Sequence, residues 1–221
     1  MLAGREINLL SAIPKTKRNI AARLEAKDPE VVRVSKQYGQ MYFDGPRDYG
    51  YGGYKYDGRW KPLAERLIEE YRLPADARIL DVGCGKAFLL HELKLLLPQA
   101  QVVGFDISAE GIADAPEAIR PYLSVYRAQD AYPFGDKAFD LCLSLNALHN
   151  LRVFELETAF REIERVAAQK FVVVESYRNE QELFNVQCWS LTCESFFDVA
   201  EWIWLMRHFG YSGDYEFIYF E

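Results

Sequence analysis

Residues 61–176 alternate short apolar runs with helix-spaced segments, which predicts a Rossmann-like, doubly wound α/β fold with a mostly parallel sheet. Two observations carry this. The runs Arg78–Val82 (RILDV), Gln101–Phe105 (QVVGF), Phe139–Leu145 (FDLCLSL) and Phe171–Glu175 (FVVVE) are apolar nearly throughout, as strands covered on both faces must be. The segments between them are long enough for the crossover helices that parallel neighbours require.

The elements follow in chain order. Residues 1–60 carry no clear strand pattern and are expected to form a helical and loop lid that caps a substrate. The first strand, Arg78–Val82, is ended by Gly83, and Ala87–Leu97 repeats leucines at helical spacing until Pro98 stops it. Gln101–Phe105 is the second strand, Ala109–Ile119 the second helix and Leu123–Tyr126 the third strand. After the strand Phe139–Leu145, the segment Phe154–Val166 lines Phe154, Ala159, Phe160, Ile163 and Val166 along one helical face. Beyond Phe171–Glu175, Val199–Phe209 suits a helix and Tyr215–Phe220 a last, antiparallel strand. The aromatic tail, including Trp189, Trp202 and Trp204, is expected to pack as core rather than face lipid.

Composition narrows the function classes. The 221 residues suit one α/β domain, or one with an appended lid, and at 50% apolar and 27% charged have the balance of an ordinary globular chain, not a disordered one. A net charge of −7 argues against nucleic-acid and anionic-membrane partners. No apolar run approaches the ~20 residues of a membrane span, and Arg5 and Glu6 interrupt the N-terminus, so a cytoplasmic location is expected. Cys84, Cys142, Cys188 and Cys193 form no CxxC pair and share no ligand spacing with the histidines, so reduced thiols and no metal are expected.

The chemistry is concentrated in the first strand, loop and helix. Gly83 and Gly85 let the backbone turn tightly and approach a ligand at the carboxyl end of the strand. Asp106 follows Gly85 by 21 positions, the reach at which a carboxylate meets a ribose. Phe88 stands where the dinucleotide fingerprint needs its third glycine, which weakens a nicotinamide reading.

With Asp81, Gly83 and Gly85, and Ala87 in place of a further glycine, this stretch resembles motif I of class I S-adenosylmethionine-dependent methyltransferases. The resemblance spans roughly residues 63–176, and residues 61–221 are expected to form the S-adenosylmethionine-binding domain. It implies that Asp106 and Ile107 hold the ribose and neighbouring adenosine, that Asp130 and Ala131 meet the adenine, and that Phe139–Leu151 carries motif IV. It also places active-site residues at Asn146 and His149, with His149 a candidate proton acceptor and Asn146 also at the cofactor. Glu175 and Tyr177, at the end of the fifth strand, are candidates to orient an acceptor. Arg59 is a candidate partner for the methionine carboxylate.

Residues 38–60 hold six of the fourteen tyrosines. Tyr42, Tyr49, Tyr51, Tyr54 and Tyr56 are expected either to close over a sulfonium as an aromatic lid or to serve as a packing strap. Three functional readings stay open. The first is methyl transfer to a small-molecule acceptor. The second is intramolecular displacement within S-adenosylmethionine, as in the similar azetidine-2-carboxylate synthases, releasing methylthioadenosine. The third is ligand binding without turnover.

Overall fold

The computed structural model describes residues 4–14 and 18–221; residues 1–3 and 15–17 of the expected lid lie outside them. Six strands, β1 (Arg78–Val82), β2 (Gln101–Asp106), β3 (Leu123–Val125), β4 (Phe139–Leu145), β5 (Ala167–Glu175) and β6 (Asp214–Ile218), form one sheet in the order β3-β2-β1-β4-β5-β6. All five strand pairings are parallel.

Neighbouring residues of each central strand enter opposite cores. Leu80, Cys142, Val172 and Val174 join a cluster on one face, whereas Ile79, Leu141, Leu143, Phe171 and Val173 join the other. On the first face, α7 (Val153–Val166) contributes Leu156, Ala159, Phe160 and Ile163, and α9 (Val199–His208) contributes Trp202 and Leu205. On the second, α4 (Lys61–Tyr71) and α5 (Phe88–Leu96) supply Leu63, Leu67, Leu90 and Leu93. Truncating a fully buried aromatic such as Phe160 costs about 3–5 kcal/mol in cores of this kind.

Two expectations are corrected. The last strand is parallel, with Phe171 opposite Asp214 and Glu175 opposite Ile218, because the chain returns through α8 (Glu180–Trp189) and α9, a crossover rather than a hairpin. The second helix, α6 (Ala109–Ala113), stops early. Pro116 disfavours helical geometry at Ala115 and removes a donor that a continuing helix needs.

The N-terminal residues cover the sheet edge and roof its carboxyl end. Ile7 N–H donates to Tyr215 O, Tyr215 N–H donates to Arg5 O, and the Glu216 carboxylate accepts the N–H groups of Leu9 and Leu10. Three short helices follow: α1 (Ile20–Ala26), capped by Asn19, α2 (Pro29–Ser35), capped by Asp28 with Pro29 in its first turn, and α3 (Gln40–Asp44). No described helix is long and apolar enough to cross a membrane.

Candidate active site

The sheet order reverses between β1 and β4, and the ends of these strands flank a cavity of about 1500 Å³. Open α/β sheets bind ligands at such a switch point. Gly83 and Gly85 turn there with φ +76° and +55°. A Cβ on Gly83 would come within 2.4 Å of Ala147 Cβ, so the loops after β1 and β4 pack together only with glycine at 83.

Asp106 stabilises the loop and opens onto the cavity. Its two oxygens accept the N–H groups of Gly85 and Ser108, each at 2.8 Å, leaving lone pairs for ligand hydroxyls. Burial raises its pKa, opposed by these backbone donors. Asp81, 4% exposed, also lines the cavity and receives none of the described hydrogen bonds. Burial, reinforced by Asp106, pushes its carboxyl up to about 7. A buried, unpartnered carboxylate at this depth fits a cationic ligand group.

The tyrosine-rich segment is bound to this floor as a folded strap. Lys86 in the glycine loop pairs with Asp44 of α3 and, at 3.3 Å, with Asp114 after α6. Ser108 Oγ donates to Tyr38 O. Tyr51 N–H donates to Tyr42 O, while Gly53 and Tyr54 N–H groups donate to Phe43 O. The Phe43 ring stacks on Tyr51 at 5.8 Å, and Tyr51 stacks on Tyr54 at 4.5 Å. Burial raises the hydroxyls of Tyr42, Tyr51 and Tyr54 above the ordinary tyrosine range.

Eleven sequence-derived candidates line the cavity: Arg59, Asp81, Gly83, Gly85, Asp106, Ile107, Asn146, Glu175, Tyr42, Tyr51 and Tyr54. Arg59 is already paired with Asp57 at 2.6 Å. Asn146 adopts φ +60°, a left-handed conformation seldom taken by residues other than glycine, at the end of β4. The remaining candidates do not line it. Asp130 is exposed beside Arg127, and Ala131 is exposed with its carbonyl accepting the Tyr126 hydroxyl. Tyr177 has Glu201 and Asp198 as charged neighbours on the α9 side. Tyr49 is held through its carbonyl by Ser35 Oγ, and the Tyr56 hydroxyl donates to Glu92.

His149 is 3% exposed, and burial lowers its pKa despite Glu175 nearby. Its Nδ1 accepts the Glu175 N–H at 3.4 Å, and its Nε2 lies 3.7 Å from Glu175 Oε2. It therefore packs against Glu175 and does not line the cavity. Ser190 Oγ donates to the Glu175 carboxylate, and Trp202 Nε1 donates to Glu175 O at 3.0 Å.

Several lining residues were not among the site residues expected from the sequence. Gln129 stands in the wall where Asp130 was expected, its amide nitrogen donating to Glu155 at 3.3 Å. The Asn150 Oδ1 and Trp60 Nε1 atoms are buried without a hydrogen-bond partner among the described residues, and both side chains border the cavity. Trp189, expected in the core, forms part of the wall near Glu175. Only Gln129 had a readable clue, its position next to the acid of the AQDAYPF stretch.

The profile of the methyltransferase domain matches residues 73–210, more than half of the chain. A malonyl-[acyl-carrier protein] O-methyltransferase of Legionella pneumophila is 37% identical over 111 residues, 48% of this chain and 38% of the relative. A demethylmenaquinone methyltransferase of Roseiflexus sp. is 35% identical over 113 residues, 50% of this chain and 45% of the relative. The chain thus spans less than half the length of these curated relatives. Among solved structures, the [4+2]-cyclase SpnF superposes with TM-score 0.58 at 23% identity, covering 80% of this chain and 72% of that one. Geranyl diphosphate C-methyltransferase from Streptomyces coelicolor, solved with S-adenosyl-L-homocysteine, gives 0.57 at 14% identity, covering 82% and 79%. These two likenesses concern the fold.

Proposed function

The chain belongs to the methyltransferase domain family, a family that uses S-adenosylmethionine, and from that premise we propose that it methylates a small-molecule acceptor held over the ends of β4 and β5. The observation that carries the reading is one continuous cavity of about 1500 Å³ with Asp81, Gly85 and Asp106 at one part of its wall and Glu175 and Trp189 at another. Sites for one drug-sized ligand occupy roughly 300–1,000 Å³, so this space suits a donor and an acceptor together. Asp106 and Glu175 end strands three places apart, about 14 Å across the sheet at normal strand spacing.

When bound, S-adenosylmethionine supplies a methyl group on a positive sulfur whose thioether is an activated leaving group. The residues around it position and hold charge. Asp106 receives ribose hydroxyls, Gln129 offers its amide oxygen to the adenine amine, and Asp81 balances the ammonium of the methionine end. The rings of Phe43, Tyr51 and Tyr54 give a π-rich wall suited to a cation. Asn146, directly after β4, orients the acceptor. Glu175, braced by His149 and Ser190, takes the proton an acceptor hydroxyl or ammonium releases. Alignment in such a site supplies most of the acceleration for an in-line displacement.

The same π-rich wall favours the second reading, displacement within S-adenosylmethionine that releases methylthioadenosine. Incubating purified protein with S-adenosylmethionine, with and without candidate acceptors, and resolving products by mass spectrometry separates the two. S-adenosylhomocysteine that depends on an acceptor supports methyl transfer. Methylthioadenosine above a no-protein control, formed without acceptor, replaces it with the intramolecular reaction.

A further inference from the structure

Three arginines from separate places in the N-terminal segment converge on one indole. The guanidinium carbons of Arg23, Arg47 and Arg18 lie 4.8, 5.2 and 5.9 Å from the centre of the Trp189 ring, and Arg18 also lies 4.3 Å from the Phe220 ring. Arg18 and Arg47 border the cavity, while Arg23 is buried behind them.

Their hydrogen bonds go to carbonyl oxygens. Arg23 donates to Asp48 O and Gly50 O, Arg47 to Gly50 O and Tyr51 O, and Arg18 to Tyr219 O at 3.3 Å. Among the described residues none of the three forms an ion pair with a carboxylate, although most other arginines here do. Glu175 and Asp48 are nearby charges, and the Glu175 carboxylate is already engaged by Ser190.

Three like charges at one ring repel one another, and carbonyl dipoles offset only part of that. Arg18 is reachable by water from the cavity, yet the surrounding protein and Arg47 both push its pKa down, against the pull of Glu175. Arg23 is fixed by two carbonyls and shapes the wall. Arg18 and Arg47 keep unused N–H donors, and a guanidinium fork matches a carboxylate or phosphate.

We propose that Arg18 and Arg47, held on the face of Trp189, bind an oxyanion of the acceptor, so that the acceptor is a small molecule carrying a carboxylate or phosphate. This rests on the methyl-transfer reading, since it assigns the part of the cavity beyond Glu175 to the acceptor. Arg59, at the tyrosine strap, is left for the donor's own carboxylate.

The test uses the full chain saturated with S-adenosylhomocysteine, melted at constant ionic strength with sodium phosphate or sodium acetate replacing chloride. The wild type is expected to melt at a higher temperature in at least one of these anions, by mass action on the folded state. A response to phosphate alone assigns a phosphorylated acceptor, and one to acetate alone a carboxylate. Arg47→Gln and Arg18→Gln are each expected to abolish the response while binding S-adenosylhomocysteine within about twofold of wild type by calorimetry, a change well under 1 kcal/mol. Arg18 makes one long backbone contact, so its variant keeps the test open should Arg47→Gln not fold. No shift in the wild type, or equal shifts in wild type and variants, overturns the proposal. So does a tenfold loss of S-adenosylhomocysteine affinity in the variants, which gives these arginines to the donor. Failure of the wild type to bind S-adenosylhomocysteine at all refutes the methyl-transfer reading instead, and the anion response is still measured on the free protein.

Discussion

Asp106, at the end of β2, accepts the backbone N–H of Gly85 at 2.8 Å, so a single carboxylate both fixes the glycine loop and faces the cavity. Asp106→Ala is expected to weaken S-adenosylhomocysteine binding at least tenfold, because a hydrogen bond to a charged group is worth about 1.5–3 kcal/mol and 1.4 kcal/mol is a factor of ten. Calorimetry checks this. Wild-type affinity in a folded Asp106→Ala protein removes Asp106 from the site.

Asp81 predicts a pH dependence of stability. Its carboxyl is raised to about 7 from an ordinary 3.8, so the folded state holds a proton that the unfolded chain has released. Stability from this group is therefore full below about pH 4 and falls as pH rises to about 7, by about 4 kcal/mol in total. Asp81→Asn is expected to flatten that part of the curve in urea titrations from pH 4 to 8. A difference between the two proteins that does not change with pH contradicts the raised pKa.

The same group predicts proton release on binding. If the Asp81 carboxylate balances the ligand's ammonium, affinity falls below pH 7 as binding has to expel the proton. Calorimetry at pH 6 in buffers of unlike ionisation enthalpy is expected to show about one proton released in the wild type and none in Asp81→Asn.

Gln129 and Asp130 give opposite expectations from adjacent positions. Gln129→Ala removes a cavity-wall amide and is expected to weaken S-adenosylhomocysteine several-fold, in line with about 1 kcal/mol for a neutral hydrogen bond. Asp130→Ala is expected to leave affinity unchanged, since the side chain faces Arg127 outside the cavity. The reverse ranking restores the assignment that the sequence suggests.

Trp202 is fully buried and donates to Glu175 O. Trp202→Phe strands that carbonyl and is expected to cost about 1–3 kcal/mol, a melting shift of roughly 3–10 °C for a chain of this size. Scanning calorimetry checks it; an unchanged melting temperature shows that the bond contributes nothing net.

The parallel sheet was legible because its strands must be apolar on both faces, and Arg78–Val82 and Phe139–Leu145 carry that pattern at the observed bounds. The glycine loop and Asp106 were legible because tight backbone turns admit few residues. Helices α1 to α3 were not, since short helices of five to seven residues are stabilised by what they pack on rather than by their own periodicity. The direction of β6 was hidden for the same kind of reason: a five-residue strand such as Asp214–Ile218 reads alike in either direction, and the crossover through α8 and α9 sets it.

Residue order by itself determined the fold class, the loop at Gly83 and Gly85 and the acid at Asp106, because each depends on local backbone geometry or on one-dimensional apolar spacing. Tertiary structure alone decided that Gln129 and not Asp130 reaches the cavity, that His149 lies under Glu175, and that Arg18, Arg23 and Arg47 meet at Trp189. Those contacts join residues up to 171 positions apart, and which side of a loop faces inward is set by the packing of its neighbours, a balance that no local pattern encodes.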